Sequence, residues 1–242
     1  MAGTIWRAFR MLIGAGKRYL EQLEILGTFI CECGSNLANM LAGTMADRDK
    51  FASKIKDAER SAHDRSKQLI ARLNRTAIKP LDQKTVRDLA VLLSEILHGI
   101  ARAGNRFVLY QIGEPGAFLP QISQKLLRQA TLINAVFAGI PKGDCVLGHC
   151  EEIIQLDKEV GRLLESGVLH LFVSEKDPIQ VIQRKQVFDE FQVLAEQVRR
   201  IADFVKNLAI ASTSFERPPA FWRRRHDCAF GPCRQPHKTG SP

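Results

Sequence analysis

The sequence predicts an all-α protein built as two packed three-helix bundles related by internal duplication. Three observations carry this. Apolar residues recur at helical spacing along four of six predicted segments, alternating four and three in the third and the last. No strand-like alternation competes with them. A helix-proline-helix layout around Pro80 also returns 98 positions downstream, where Leu73, Pro80 and Leu89 become Leu171, Pro178 and Val187. Polar positions share that register, Glu59 meeting Asp157 and His98 meeting Glu196. A spacing common to a proline, core positions and acid-or-histidine sites marks a duplicated unit.

Composition sets the limits. The chain has 242 residues, 45% of them hydrophobic and 25% charged, which are globular values. The net charge of +9 is uneven: residues from Arg217 onward carry +5, leaving +4 for the folded body. A mildly basic body without a recognition motif disfavours a nucleic-acid-binding role. Six cysteines in a chain of this length do not make a disulfide scaffold, and no secretory signal is evident. No stretch approaches the ~20 apolar residues of a membrane-spanning helix. The expected location is cytoplasmic, with peripheral attachment at the inner membrane face left open.

Residues 1–17 form a basic amphipathic segment, with Ile5, Trp6, Phe9, Leu12 and Ile13 among Arg7, Arg10, Lys17 and, just beyond, Arg18. Packing on the bundle is the expected use, and an anionic membrane surface is the alternative. Gly14-Ala15-Gly16-Lys17 is not a phosphate loop. Met11 stands where that motif needs its first glycine, and Arg18 replaces its Ser/Thr.

The first bundle covers 18–113. Leu23, Leu26, Ile30, Leu37 and Leu41 predict a helix from Arg18 to Leu41, with Cys31 and Cys33 as packing residues. Ile55, Ala58, Ala62, Leu69 and Leu73 mark a second from Ala46 to Arg75. A third follows Pro80, with Asp82 as the expected N-cap and Val86, Ala90, Leu93, Leu97 and Ile100 as its seam. Ser94 and His98 are expected off that seam. Gly113-Glu114-Pro115-Gly116 is a turn.

The second bundle covers 114–214. Its helices are expected from Phe118 to Ala138, from Val146 to Phe172, and onward from Asp177-Pro178. The last has the clearest period, through Val187, Phe191, Leu194, Val198, Ile201, Val205 and Leu208. Residues 215–242 hold five prolines and clustered arginines and read as a flexible basic tail.

At LIARLNRTAIKPLDQKTVRD (69–88) and across 171–203 the chain resembles the PhoU-like phosphate transport regulators. Within them it resembles the small accessory proteins associated with Pit-type low-affinity phosphate transporters. The resemblance spans roughly residues 20–212. It implies a PhoU-like fold and a non-catalytic, cytoplasmic accessory role, docking on an inorganic phosphate transporter. It also implies an acidic motif, Glu or Asp followed four residues later by Asp, that holds iron or zinc in several members. Here that motif is worn, reading Glu59 with His63, Ser94 with His98, Asp157 with Gly161, and Gln192 with Glu196.

Glu59, His63 and His98 remain a candidate set for one zinc or ferrous ion between the second and third helices. Two histidines and a carboxylate suit either metal. Solvated helix-face residues are the alternative. Asp157, Glu159 and Glu196 are the weaker set in the second half. Cys145, His149 and Cys150 pair thiols with an imidazole that would activate one of them, or simply pack. In the tail, His226, Cys228, Cys233 and His237 lack a common zinc-finger spacing. Arg223-Arg224-Arg225 beside Phe221-Trp222 suit an anionic surface. Self-association is a further expected partner mode.

Overall fold

A computed structural model describes residues 17–75, 80–140 and 146–214. The basic N-terminal segment, Cys145 and the whole tail, with its candidate ligands and arginines, lie outside the described residues. Six helices account for the elements: α1 (Lys17–Ala42), α2 (Met45–Arg75), α3 (Pro80–Leu109), α4 (Phe118–Gly139), α5 (Val146–Ser174) and α6 (Pro178–Ser214). No helix is long and apolar enough to cross a membrane, among the described residues.

Local chemistry explains the helix ends. Thr44 donates its hydroxyl to Asp47 at 2.8 Å, closing the first turn of α2. Asp177 accepts the Ile179 amide at 2.9 Å and so caps α6. At α3 the expected cap is corrected. Pro80 is itself the first helical residue, and Asp82 lies inside the first turn. Proline suits that position because its missing N–H would have no intrahelical partner there. Gln83 then donates to the Leu73 carbonyl at 2.8 Å, supplying one partner that the end of α2 lacks.

Within the first half α1 packs on α2 and α3, and α2 on α3. In the second half α5 packs on both α4 and α6. The halves join along two seams, α1 with α4 and α3 with α6, and a single core cluster runs through all six helices. Small residues let the first seam close. A Cβ on Gly27 would lie 2.9 Å from Asn134 Oδ1, and Cys31 donates to the Ala130 carbonyl at 3.2 Å. The second seam adds ion pairs, Arg102 to Glu190 at 3.0 Å and Arg200 to Glu95 at 3.0 Å. Arg48 is buried on α2. It stacks over the Phe107 ring at 4.8 Å and donates to the Ile112 carbonyl at 2.5 Å, fixing the chain beyond α3.

Ser94 departs from expectation. It is half-buried between α2 and α3, donating to the Ala90 carbonyl at 2.8 Å and sharing a hydrogen bond with Ser66 at 2.9 Å. A hydroxyl that satisfies itself on its own helix is small enough to enter the seam.

Gly167 marks the closest approach in the second half. A Cβ there would meet Phe188 Cε1 at 2.6 Å and Phe118 Cβ at 3.1 Å. Alanine normally stabilises a helix interior by ~1 kcal/mol over glycine. Here overpacking against a rigid, nearly buried ring costs about 1–3 kcal/mol. Gly167→Ala is therefore expected to lower stability by about 1–2 kcal/mol, read as a reduced urea midpoint.

Candidate functional site

The duplicated helix pairs build two grooves. Between α2 and α3 lies a cavity of about 580 Å³ lined by Glu59 and His98, with Lys56, Arg102 and small side chains around them. Between α5 and α6 lies one of about 600 Å³ lined by Asp157, Gly161, Gln192 and Glu196. Two positions paired by the 98-residue register recur in both, Glu59 with Asp157 and His98 with Glu196.

In the first groove Glu59 Oε1 approaches His98 Nδ1 at 3.5 Å. His63 is exposed and does not line the groove. The structure thus brings together two of the three predicted residues. No group of three or more His, Cys, Asp and Glu side chains suited to a metal ion occurs among the described residues.

In the second groove Arg199 donates to Asp157 at 3.3 Å, and Gln192 donates to Glu196 at 3.4 Å. Burial pushes the Asp157 carboxyl up. Arg199 partly offsets this, while Asp203 and Glu196 add to it. Glu159 stands apart, engaged by Lys125 of α4 at 2.6 Å, which holds its carboxyl below the ordinary value. Asp157 and Glu196 therefore share the groove, and Glu159 is spent on the α4–α5 contact.

The two grooves have diverged in lining. The second is walled by Leu164, Val168, Leu169, Phe172 and Phe188, and Gly161 leaves its floor open. Around the α5–α6 turn, Leu169, Phe172, Val173, Ile179 and Ile182 are each more than half exposed. Five of the nine large exposed hydrophobics among the described residues fall within these 14 positions, so they form a patch and not a scatter. Sequence reasoning missed this patch. Its signal was apolar residues lying outside the buried seam at the facing ends of two helices.

The thiol reading fails at Cys150, the one of its two cysteines among the described residues. Cys150 is fully buried, and burial pushes its thiol up to about 12; Cys33 is raised to about 12 for the same leading reason. A protonated, inaccessible thiol is neither nucleophile nor metal ligand. Alkylation of the native protein with iodoacetamide at pH 8 is expected to leave Cys33 and Cys150 unmodified, as read by peptide mass spectrometry.

Two three-helix bundles with a shared core and paired grooves define a helical-bundle class. The fold is that of the PhoU-like proteins. It matches a PhoU-like protein of Shewanella oneidensis at TM-score 0.66 and 16% identity, covering 80% of this chain and 99% of that one. A second PhoU-like protein of the same organism matches at 0.69 and 15%, with the same coverage. PhoU of Pseudomonas aeruginosa matches at 0.60 and 13%, covering 81% and 97%. In sequence the chain is 20% identical over 198 residues to UPF0111 protein YkaA of Bacillus subtilis, spanning 79% of this chain and 97% of the relative. No family model matches.

Proposed function

We propose that this protein is a non-catalytic regulatory accessory of phosphate transport, docking on the cytoplasmic face of a Pit-type inorganic phosphate transporter. The observation that carries the reading is the fold, shared over four-fifths of the chain with PhoU-like proteins and with PhoU of Pseudomonas aeruginosa. The α5–α6 groove supplies a surface. Its apolar walls carry Glu165 and Glu196 beside two neutralised pairs, Arg199 with Asp157 and Lys185 with Asp189. Cytoplasmic loops of membrane proteins carry an excess of Lys and Arg, so an acidic-rimmed apolar groove complements a basic amphipathic loop. Regulation then requires only that the protein bind one conformational state of the transporter more tightly than the other. Labelled-phosphate uptake with and without this protein tests the reading, together with co-purification of the transporter. Altered uptake and joint purification are expected; unchanged uptake with no transporter recovered overturns it.

A second reading, a helical protein holding one zinc or iron ion between α2 and α3, has the Glu59–His98 approach in its favour. Two protein ligands leave the remaining positions of a tetrahedral ion to water. On this reading, zinc retained after desalting falls in His98→Ala and is unchanged in His63→Ala, measured by elemental analysis. Protein that retains no zinc removes the reading.

A further inference from the structure

The α5–α6 groove runs toward the end of the last helix. Its walls are antiparallel: Arg199 meets Asp157 at 3.3 Å, Lys206 approaches Glu151 at 3.9 Å, and Phe188 lies against Gly167. The apolar patch of Leu169, Phe172, Val173, Ile179 and Ile182 lies at the start of α6, and Ser214 ends α6 beyond the other mouth of the groove. The same register sets Glu165 opposite Phe191. At 1.5 Å per residue along α6, Ser214 stands about 27 Å from Glu196, about 35 Å from the level of Glu165 and about 50 Å from the patch.

The sequence that continues past Ser214 matches the groove in both order and charge. Residues 214–230 read SFERPPAFWRRRHDCAF. An extended chain spans about 3.3–3.6 Å per residue, so Arg223 to Arg225, nine to eleven residues on, reach about 30–40 Å. That span takes in Glu196 and Glu165. Phe230, sixteen residues on, reaches about 53–58 Å, far enough for the patch. Pro218-Pro219 suits such a path, because proline favours extended backbone. Residues from Arg217 onward carry +5. The groove keeps Glu165 and Glu196 after Lys185 has paired with Asp189 and Arg199 with Asp157. Residues 1–16 are placed less well, since they precede α1, whose main packing is on α2, α3 and α4 and not on the groove walls.

We propose that the segment from Phe221 to Phe230 docks back into the α5–α6 groove of its own chain. Its arginines meet Glu165 and Glu196, and its aromatic side chains cover the apolar walls and the patch. The exposed charge pairs set the register, and burial of aromatic area supplies most of the attraction. A tethered segment acts at an effective concentration in the millimolar range, so an intrinsic affinity of only ~0.1 mM keeps it docked about nine-tenths of the time. The docked tail covers the surface assigned above to a transporter loop, so each excludes the other. The contact forms in the isolated protein, and its test is separate from that of transporter docking.

The test uses the full chain carrying Trp6→Phe, which leaves Trp222 as its one tryptophan. Acrylamide should quench Trp222 well below the level reached when the same chain is unfolded in urea. Glu165→Lys with Glu196→Lys should weaken docking about tenfold, leaving about half of the tail docked and raising the quenching. Arg223→Glu, Arg224→Glu and Arg225→Glu together should act alike, and combining both sets should restore protection. Glu165 and Glu196 are exposed, and equal thermal unfolding of parent and variant confirms the fold. The proposal is overturned if Trp222 is quenched in the native protein as in urea, if the groove substitutions change nothing, or if the combined charge swap restores nothing. Protection that disappears on dilution places the tail on a second copy and overturns the contact within one chain. In the reciprocal protein, Trp222→Phe, a response of Trp6 to the groove substitutions gives the groove to residues 1–16 and overturns it as well.

Discussion

Leu194→Ala is expected to lower stability by about 3–5 kcal/mol, with one cooperative unfolding transition retained. Leu194 is 1% exposed and lies where four helices meet. Around it are Ile30 and Leu37 of α1, Ile96 and Ile100 of α3, Leu126 and Ala130 of α4, and Val198 of α6. The space left between these side chains is about 10 Å³, and Ser123, the polar residue lining it, already donates its hydroxyl to the Pro120 carbonyl. Truncation therefore opens a dry void that four packed helices cannot easily collapse, which places the cost at the upper end for leucine. Because the void touches both halves, both should respond together. Urea unfolding followed by far-ultraviolet circular dichroism checks this, and the midpoint should fall at constant slope. Two separable transitions would show instead that the bundles are independent units.

The second large effect concerns the groove. Leu169→Lys combined with Phe172→Lys is expected to reduce transporter co-purification by a factor on the order of 10², while thermal stability changes little. Apolar anchors at the centre of an interface contribute about 2 kcal/mol or more each, and lysine adds the cost of a desolvated charge. Both side chains are more than half exposed in the free protein, so the fold loses almost no buried contact. The uptake defect of this variant should match that of cells lacking the protein. Wild-type uptake in the double variant would move the docking surface elsewhere. The acidic rim adds a salt dependence, since attraction between exposed charges is screened at high ionic strength.

Much of the fold was legible because helical period reports a face. Val187, Phe191, Leu194, Val198, Ile201 and Val205, read as one seam, are buried, whereas Leu208, read with them, is half-buried and its neighbour Ala209 enters the core. Pro80 and Pro178 each open a helix, because proline is tolerated only where its absent N–H is not needed. The paired grooves were half legible. The 98-residue register put Glu59 with His98 and Asp157 with Glu196, and each pair does line one groove. It could not say that His63 faces solvent, or that Glu159 is taken by Lys125 of a neighbouring helix.

By itself, then, the sequence determined six helices, their order, the duplicated halves and the core faces of four of the helices. These follow from local rules: side-chain period along one axis, and the chemistry of helix ends. Only the tertiary structure decided which side chains meet across helices. It set Arg18 beside Arg72 and Arg75, left the α5–α6 turn with an uncovered apolar patch, and spent Asp157 on Arg199. The physical reason is that period fixes a residue's angle about its own helix only. Its partner depends on the offset and rotation of the neighbouring helix, which are set by packing at close approaches such as Gly27 on Asn134 and Gly167 on Phe188.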